Sequence, residues 1–157
     1  LVIGDGELRN ELESYVKKEG LGEDIFFLGF RKDMEKIYAA LDMVVLTSLN
    51  EGSPVALIEA MAAGKAVVST DVGGVVDLIG NEDQNCVSKD QRYSITNCGV
   101  LLKSADADVL AGAMKELLKN EYLGRMLGAE GRKRVYPRYD ITRLVKDIKQ
   151  LYEELLN

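Results

Sequence analysis

The sequence predicts an α/β protein built on a doubly wound parallel sheet and finished by C-terminal helices. Two observations carry this. Short apolar runs of strand length alternate with segments of helical periodicity as far as Leu102, and from Asp106 onward only helical stripes remain. Strands separated by helices at this spacing imply parallel pairing, with helices on both faces of the sheet.

Taken in order, Leu1-Val2-Ile3-Gly4 reads as the tail of a strand with neither a Met nor a turn ahead of it, as in a chain cut from something larger. After Gly4-Asp5-Gly6, the residues Leu8, Leu12, Tyr15 and Val16 recur at helical spacing, and Gly20 ends the run. Ile25 to Leu28 is a short buried strand. Met34, Ile37, Tyr38 and Leu41 then share one face of a short helix, and Met43 to Thr47 is an apolar strand. Pro54 to Ala63 is a helix, Ala66 to Thr70 a strand and Val75 to Ile79 a brief helix. The polar tract from Asn81 to Cys98 reads as one long loop before a last strand, Val100 to Leu102. Val109, Leu110, Ala113, Met114, Leu117 and Leu118 form the first helical stripe of the tail. Tyr122 to Val135 forms a second helix, and Ile141, Leu144, Val145, Ile148, Leu151, Tyr152 and Leu155 line a third.

Composition narrows the function classes. With 157 residues, 46% of them hydrophobic and 29% charged, the chain is read as a single domain over residues 1–157 with enough apolar material for a core. A balance of 20 basic against 26 acidic residues, net −6, argues against a general nucleic-acid binder. No apolar run approaches the roughly 20 residues of a membrane span and no signal peptide is visible, so a cytoplasmic location is the default expectation. The chain has no histidine, which excludes imidazole bases, His-dependent nucleophiles and His-ligated metals from its own chemistry. Cys86 and Cys98 are read as free thiols, with a disulfide between them as the lesser alternative.

Chemistry concentrates in Ser48 to Gly74, SLNEGSPVALIEAMAAGKAVVSTDVGG. The helix from Pro54 is apolar on nearly every side except at Glu59, a pattern normal for a buried helix, and a buried charge requires a partner. Glu59 is therefore expected to point at a hydrogen-bonding group, either a protein donor or a ligand's hydroxyl pair. In doubly wound sheets ligands sit at the carboxyl ends of the strands, where three loops are expected to converge: GDG, GFRKD and SLNEGSP. In the last of these Ser53 is the expected N-cap and Pro54 the first helical residue, so that free amides from Val55 onward face an anion. Gly52 and the pair Gly73-Gly74 would let a ligand approach the backbone. Asp5 reads as a turn residue, Arg31 equally as a base-facing cation or a surface charge, and Arg132-Lys133-Arg134 as a solvated helix face.

These residues carry a resemblance to a known family. VIGDGELRNELE, IFFLGF, the Leu41-Asp42 pair before VVLTS, and EGSPVALIEAMAAGKAVVSTDVGGVVDLI together resemble the C-terminal, donor-binding half of a GT-B retaining glycosyltransferase of family 4, the glycosyl transferases group 1. Glu51 and Glu59 stand eight positions apart, as the paired glutamates of that family's signature do. The implied fold is the Rossmann-like half of a GT-B enzyme.

The resemblance implies roles position by position. Glu59 would accept hydrogen bonds from the ribose hydroxyls of a nucleotide sugar. Glu51 would lie against the donor sugar as the catalytic carboxylate, adding negative charge where positive charge develops at the anomeric carbon. Amides around Gly52, Ser53, Val55 and Ala56 would hold the diphosphate, backbone near Gly29, Phe30 and Arg31 would meet the base, and Gly4 and Gly6 would border the cleft. No cofactor or metal is implied, because the family's helix end and an Arg and a Lys from a segment upstream of GDG neutralise the leaving group. That segment and the N-terminal acceptor domain would lie before residue 1, so the chain alone is expected to bind nucleotide weakly and to be inactive. Pro54 stands where many relatives have Gly, which removes one amide from the phosphate cradle. The expected partners are a nucleotide sugar and the N-terminal domain, with peripheral membrane contact through that domain as a lesser reading and some self-association through the last helix. The alternatives are a nucleotide-binding module without catalysis, or part of a GT-B-fold nucleotide-sugar epimerase.

Overall fold

The computed structural model describes residues 1–80 and 91–156, and the chain falls into two units, Leu1–Ile37 and Tyr38–Asn157. In the first unit, strand β1 (Val2–Ile3) leads through helix α1 (Arg9–Lys18) to strand β2 (Phe27–Gly29), which pairs with β1 in parallel, Val2 against Phe27 and Ile3 against Gly29. Helix α1 has Glu11 in its first turn and Lys17 and Lys18 in its last, a distribution that complements the helix dipole. The strand expected at Ile25–Leu28 lies two residues later at its start and is only half-buried at Phe27 and Leu28, so it is not the buried strand that the apolar run suggested. Helix α2 (Met34–Ala40) carries the chain from the first unit into the second.

The second unit continues through β3 (Met43–Leu46), α3 (Val55–Ala62), β4 (Ala66–Thr70), α4 (Val75–Ile79), β5 (Tyr93–Ile95), β6 (Val100–Leu102) and the helices α5 (Ala107–Lys119), α6 (Glu121–Tyr139) and α7 (Ile141–Leu156). Its sheet has the order β3-β4-β6-β5. The first three strands are parallel, with Val44 opposite Val67 and Ser69 opposite Leu101. All of β4 and β6 is buried, which is why β6 and the first three residues of β4 read as continuous apolar runs, while the buried Ser69 and Thr70 close β4.

Strand periodicity divides the core. Ala66 and Val68 of β4 and Val100 and Leu102 of β6 point to the side covered by Val109, Ala113 and Leu117 of α5 and by Leu123 and Leu127 of α6. The two tail helices are set by side-chain caps. Asp106 accepts from the amides of Asp108 and Val109 at 2.9 and 3.0 Å, and Asn120 accepts from Leu123 at 3.1 Å. Helix α6 has no strong apolar stripe, but Gly128 lets it close on the turn after α3, since a Cβ there would stand 2.2 Å from the Gly64 carbonyl oxygen. The expected end of this helix at Val135 is passed: it runs through Pro137 to Tyr139, although Pro137 has no amide to donate to the carbonyl of Lys133, four residues back.

Strand β5 corrects the reading of Asn81 to Cys98 as one loop. Tyr93, Ser94 and Ile95 are all buried and pair antiparallel with β6, Tyr93 opposite Leu102. The return turn is organised by Thr96, whose hydroxyl oxygen accepts from the amides of Cys98 and Gly99 and donates to the Ile79 carbonyl at 3.1 Å. The Cys86–Cys98 question lies outside the described residues, which include the buried Cys98 but not Cys86. Helix α7 has no buried residue, and its apolar stripe from Ile141 to Leu155 is exposed throughout. Among the described residues no helix is long and apolar enough to cross a membrane.

Candidate functional site

Strands β3 and β4 are parallel with Leu46 opposite Ser69, so the loops that follow them, residues 47–54 and 71–74, leave the same end of the sheet. The loops are joined through their main chains. The Gly74 amide donates to the Glu51 carbonyl at 3.1 Å, and the Thr70 hydroxyl donates to the Ser48 carbonyl at 2.5 Å. A Cβ at Gly73, where φ is +50°, would lie 1.9 Å from the Glu51 carbonyl oxygen, and one at Gly74 would lie 2.0 Å from that of Gly52. The space that a side chain at Gly73 or Gly74 would need is thus filled by the Glu51-Gly52 backbone. This fixes the path of the loop. The half-buried Glu51 side chain is held in turn by Ser48, whose hydroxyl donates to Oε1 at 2.6 Å.

The start of α3 differs from the expected cap. Pro54, not Ser53, occupies the N-cap position, with ψ of 85°, and no side chain caps the helix. The first carbonyl that α3 uses is that of Pro54, which accepts from Leu57 at 3.0 Å and Ile58 at 3.1 Å. The amides of Val55 and Ala56 precede any helical acceptor and point out of the helix end, next to the exposed Gly52 and Ser53. A helix end of this kind favours an anion.

Glu59 also corrects its expectation. Helix α3 buries Leu57, Ala60 and Met61, but Glu59 and Val55 lie on its outward side, and Glu59 is exposed rather than embedded in the core. A helix with one small outward face and apolar residues at most positions looks buried all round in sequence, which is why the pattern misled. Of the two expected kinds of partner, a protein donor is present: the hydroxyl of Tyr38, at the end of α2, donates to Glu59 Oε2 at 3.1 Å and lies 3.2 Å from the Ala56 carbonyl. The phenol is 4% exposed, and its pKa is pushed up to about 12, first by burial and then by the hydrogen bond to Glu59 and its charge.

The remaining candidates lie in the first unit. Gly4 follows β1 and its amide donates to the Gly29 carbonyl at 2.9 Å, while the Gly6 amide is held by Asp5 Oδ1 at 3.1 Å, the turn role expected of Asp5. Gly4 and Gly6 line a cavity of about 240 Å³ with Val2, Leu8, Arg9 and Phe27. Phe30 is 75% exposed. Arg31 is engaged by Asp33 in a two-pronged pair, Nε to Oδ1 at 2.9 Å and Nη2 to Oδ2 at 2.7 Å, which holds the Asp33 carboxyl below its ordinary range.

Within the second unit, then, Glu51, Gly52, Ser53, Val55, Ala56 and Glu59 gather along one loop and the first turns of α3. Two contributors were not singled out from sequence. Ser48 lies three residues before Glu51 with no motif of its own, and Tyr38 reads as one more apolar member of a helix face until its hydroxyl is located beside Glu59.

Comparison with known proteins gives this arrangement its family. The chain is 28% identical to UDP-Gal:alpha-D-GlcNAc-diphosphoundecaprenol alpha-1,3-galactosyltransferase of Escherichia coli, over 99% of this chain and 37% of that protein. It is likewise 28% identical to N-acetyl-alpha-D-glucosaminyl L-malate synthase of Bacillus anthracis, over 99% of this chain and 37% of that one. The chain thus spans a little over a third of the length of these curated relatives. Among solved structures it superposes on sucrose-phosphate synthase from Thermosynechococcus elongatus with a TM-score of 0.76 and 28% identity, covering 96% of this chain and 35% of that one. The C-terminal domain of the glycosyl transferase group 1 protein LpcC from Francisella tularensis gives a TM-score of 0.65 and 29% identity, covering 86% of this chain and 64% of that one. Anabaena HepE, solved with UDP and glucose, shares the α/β fold at 23% identity, with a TM-score of 0.79 over 96% of this chain and 39% of that one. The family model for the glycosyl transferases group 1 matches residues 1–134, the paired glutamates and their loop included, and the chain belongs to that family.

Proposed function

We propose that this chain is the donor-binding part of a retaining glycosyltransferase, which moves a sugar from a nucleoside diphosphate to an acceptor. The observation that carries the reading is the stretch from Glu51 to Glu59. A helix end without a side-chain cap presents the Val55 and Ala56 amides, flanked on one side by a carboxylate held by Ser48 and on the other by an outward carboxylate held by Tyr38. Amides suit a diphosphate, and a fixed carboxylate suits a vicinal diol. Glu59 binds the ribose hydroxyls in this reading, and Glu51 lies against the donor sugar, its charge offsetting the positive charge that develops at the anomeric carbon. The name of the Escherichia coli relative, which specifies UDP-Gal, supports a nucleotide sugar as the ligand.

The second partner in this reading is an N-terminal domain that carries the acceptor and supplies cations to the diphosphate. The chain by itself then binds nucleotide and does not transfer sugar. Calorimetric titration with UDP, GDP and ADP tests this. One nucleotide is expected to bind weakly, with Glu59→Ala reducing that affinity about tenfold, the loss of a charge-assisted hydrogen-bond acceptor. Unchanged affinity in Glu59→Ala would remove the ribose assignment, and turnover of donor and acceptor by the chain alone would remove the requirement for the second domain.

A further inference from the structure

We propose that Tyr38 is the positioning residue for Glu59: its buried hydroxyl fixes one carboxylate oxygen so that the other faces a nucleotide's ribose. The inference rests on the donor-binding reading above and adds to it a residue outside the paired-glutamate segment.

Three features of the geometry support it. Glu59 is an exposed side chain on a helix, and such a carboxylate samples several rotamers, each of which must be given up when a ligand binds. Tyr38 is its opposite, a ring 4% exposed and immobilised by packing, which offers its hydroxyl to Glu59 Oε2 at 3.1 Å. A carboxylate accepts at about four lone-pair positions, so one bond to Oε2 leaves Oε1 and further capacity for a diol. The same hydroxyl lies 3.2 Å from the Ala56 carbonyl, one turn back along α3. Tyr38 thus stands beside the turn of α3 whose amides are proposed for phosphate, with its single proton given to Glu59, the nearer of the two acceptors. Burial and the adjacent carboxylate push the phenol's pKa up to about 12, so the hydroxyl keeps its proton at neutral pH and remains a donor.

A double-substitution cycle read against two sugars tests the proposal. Wild type, Tyr38→Phe, Glu59→Gln and the double variant would each be titrated with UDP, GDP and ADP and with the 2′-deoxy form of each. Tyr38→Phe is expected to weaken the best ribonucleotide about tenfold while changing its 2′-deoxy form less than twofold, and the double variant is expected to bind no more weakly than Glu59→Gln alone. Equal loss with both sugars, or additive losses in the cycle, would overturn it, because the hydroxyl would then support the fold in general and not Glu59. Failure of Tyr38→Phe to fold, read by circular dichroism, would overturn it for the same reason. Absence of nucleotide binding by the wild type would instead remove the donor-binding reading itself, and the proposal with it.

Discussion

The Ser48 hydroxyl sits 2.6 Å from Oε1 of Glu51, and the Ser48 carbonyl is in turn gripped by Thr70. The carboxylate proposed to face the donor sugar is therefore anchored to β4 through two short links rather than left to a mobile loop. Ser48→Ala releases it. In a chain joined to its second domain, that substitution is expected to lower kcat about tenfold with little change in nucleotide affinity, since the base and phosphate contacts are untouched. Steady-state kinetics beside calorimetry would separate the two effects.

Gly74→Ala should be more damaging than its size suggests. The new Cβ would fall 2.0 Å from the Gly52 carbonyl oxygen, and a main-chain atom cannot swing aside as a side chain does. The loop from residue 47 to 54 must shift, at an expected cost of about 2 kcal/mol, in the range of overpacked sites. Urea denaturation measures that cost, and loss of nucleotide binding in the same variant reports the displaced helix end.

Alkaline pH is expected to destabilise the fold through Tyr38. Its pKa is raised in the folded protein to about 12 from an ordinary value of 10, so between those values the native state binds more protons than the unfolded one. The sign follows: its contribution is fully present below about pH 10 and is lost as pH rises through about 12, on the order of 2 kcal/mol in all. Urea midpoints of wild type and Tyr38→Phe, compared between pH 9 and 11.5, should converge as the pH rises. A constant gap would remove the assignment.

Removing the cap of α5 gives a calibrated control. Asp106→Ala leaves the Asp108 and Val109 amides without their acceptor and is expected to cost about 1 kcal/mol with no effect on nucleotide binding. Equilibrium unfolding and calorimetry together check both halves of that statement.

Helix α7 carries a further expectation. Ile141, Leu144, Ile148, Leu151 and Leu155 recur at the spacing of a helix-pairing seam and are 46% to 73% exposed. The chain should show a concentration-dependent mass in light scattering, and the pair Ile148→Glu and Leu151→Glu should abolish it. A mass that stays at 17.3 kDa at every concentration would mean that the helix folds onto its own sheet.

The order and type of nearly all the elements were legible in the sequence. The bounds of β4, α4 and β6 agree with expectation to the residue: Val100 to Leu102 is an apolar run opened by Gly99, Gly74 and Gly80 bracket α4, and β4 lies between Lys65 and Asp71. Strand β5 was not legible: it has three residues, sits in a polar tract, and becomes a strand only by pairing with β6. The two carboxylates proposed for the site, Glu51 and Glu59, stand out in the sequence by their spacing, but the surroundings of Glu59 do not. Apolar periodicity reports which residues avoid water on average. It does not report that Val55 and Glu59 share the outward side, nor that a tyrosine 21 residues upstream supplies the hydroxyl. The cap at Pro54 was missed because Ser53 has the chemistry of an N-cap, whereas the backbone at Pro54 has not yet turned helical.

The seating of Glu51-Gly52 on Gly73-Gly74 separates two kinds of inheritance in this loop. Its contour is specified by peptide groups and by glycines that admit them, so it survives exchange of the neighbouring side chains. Ser53, Val55 and Ala56 take no part in that seating, so their side chains can be exchanged without rebuilding the scaffold beneath.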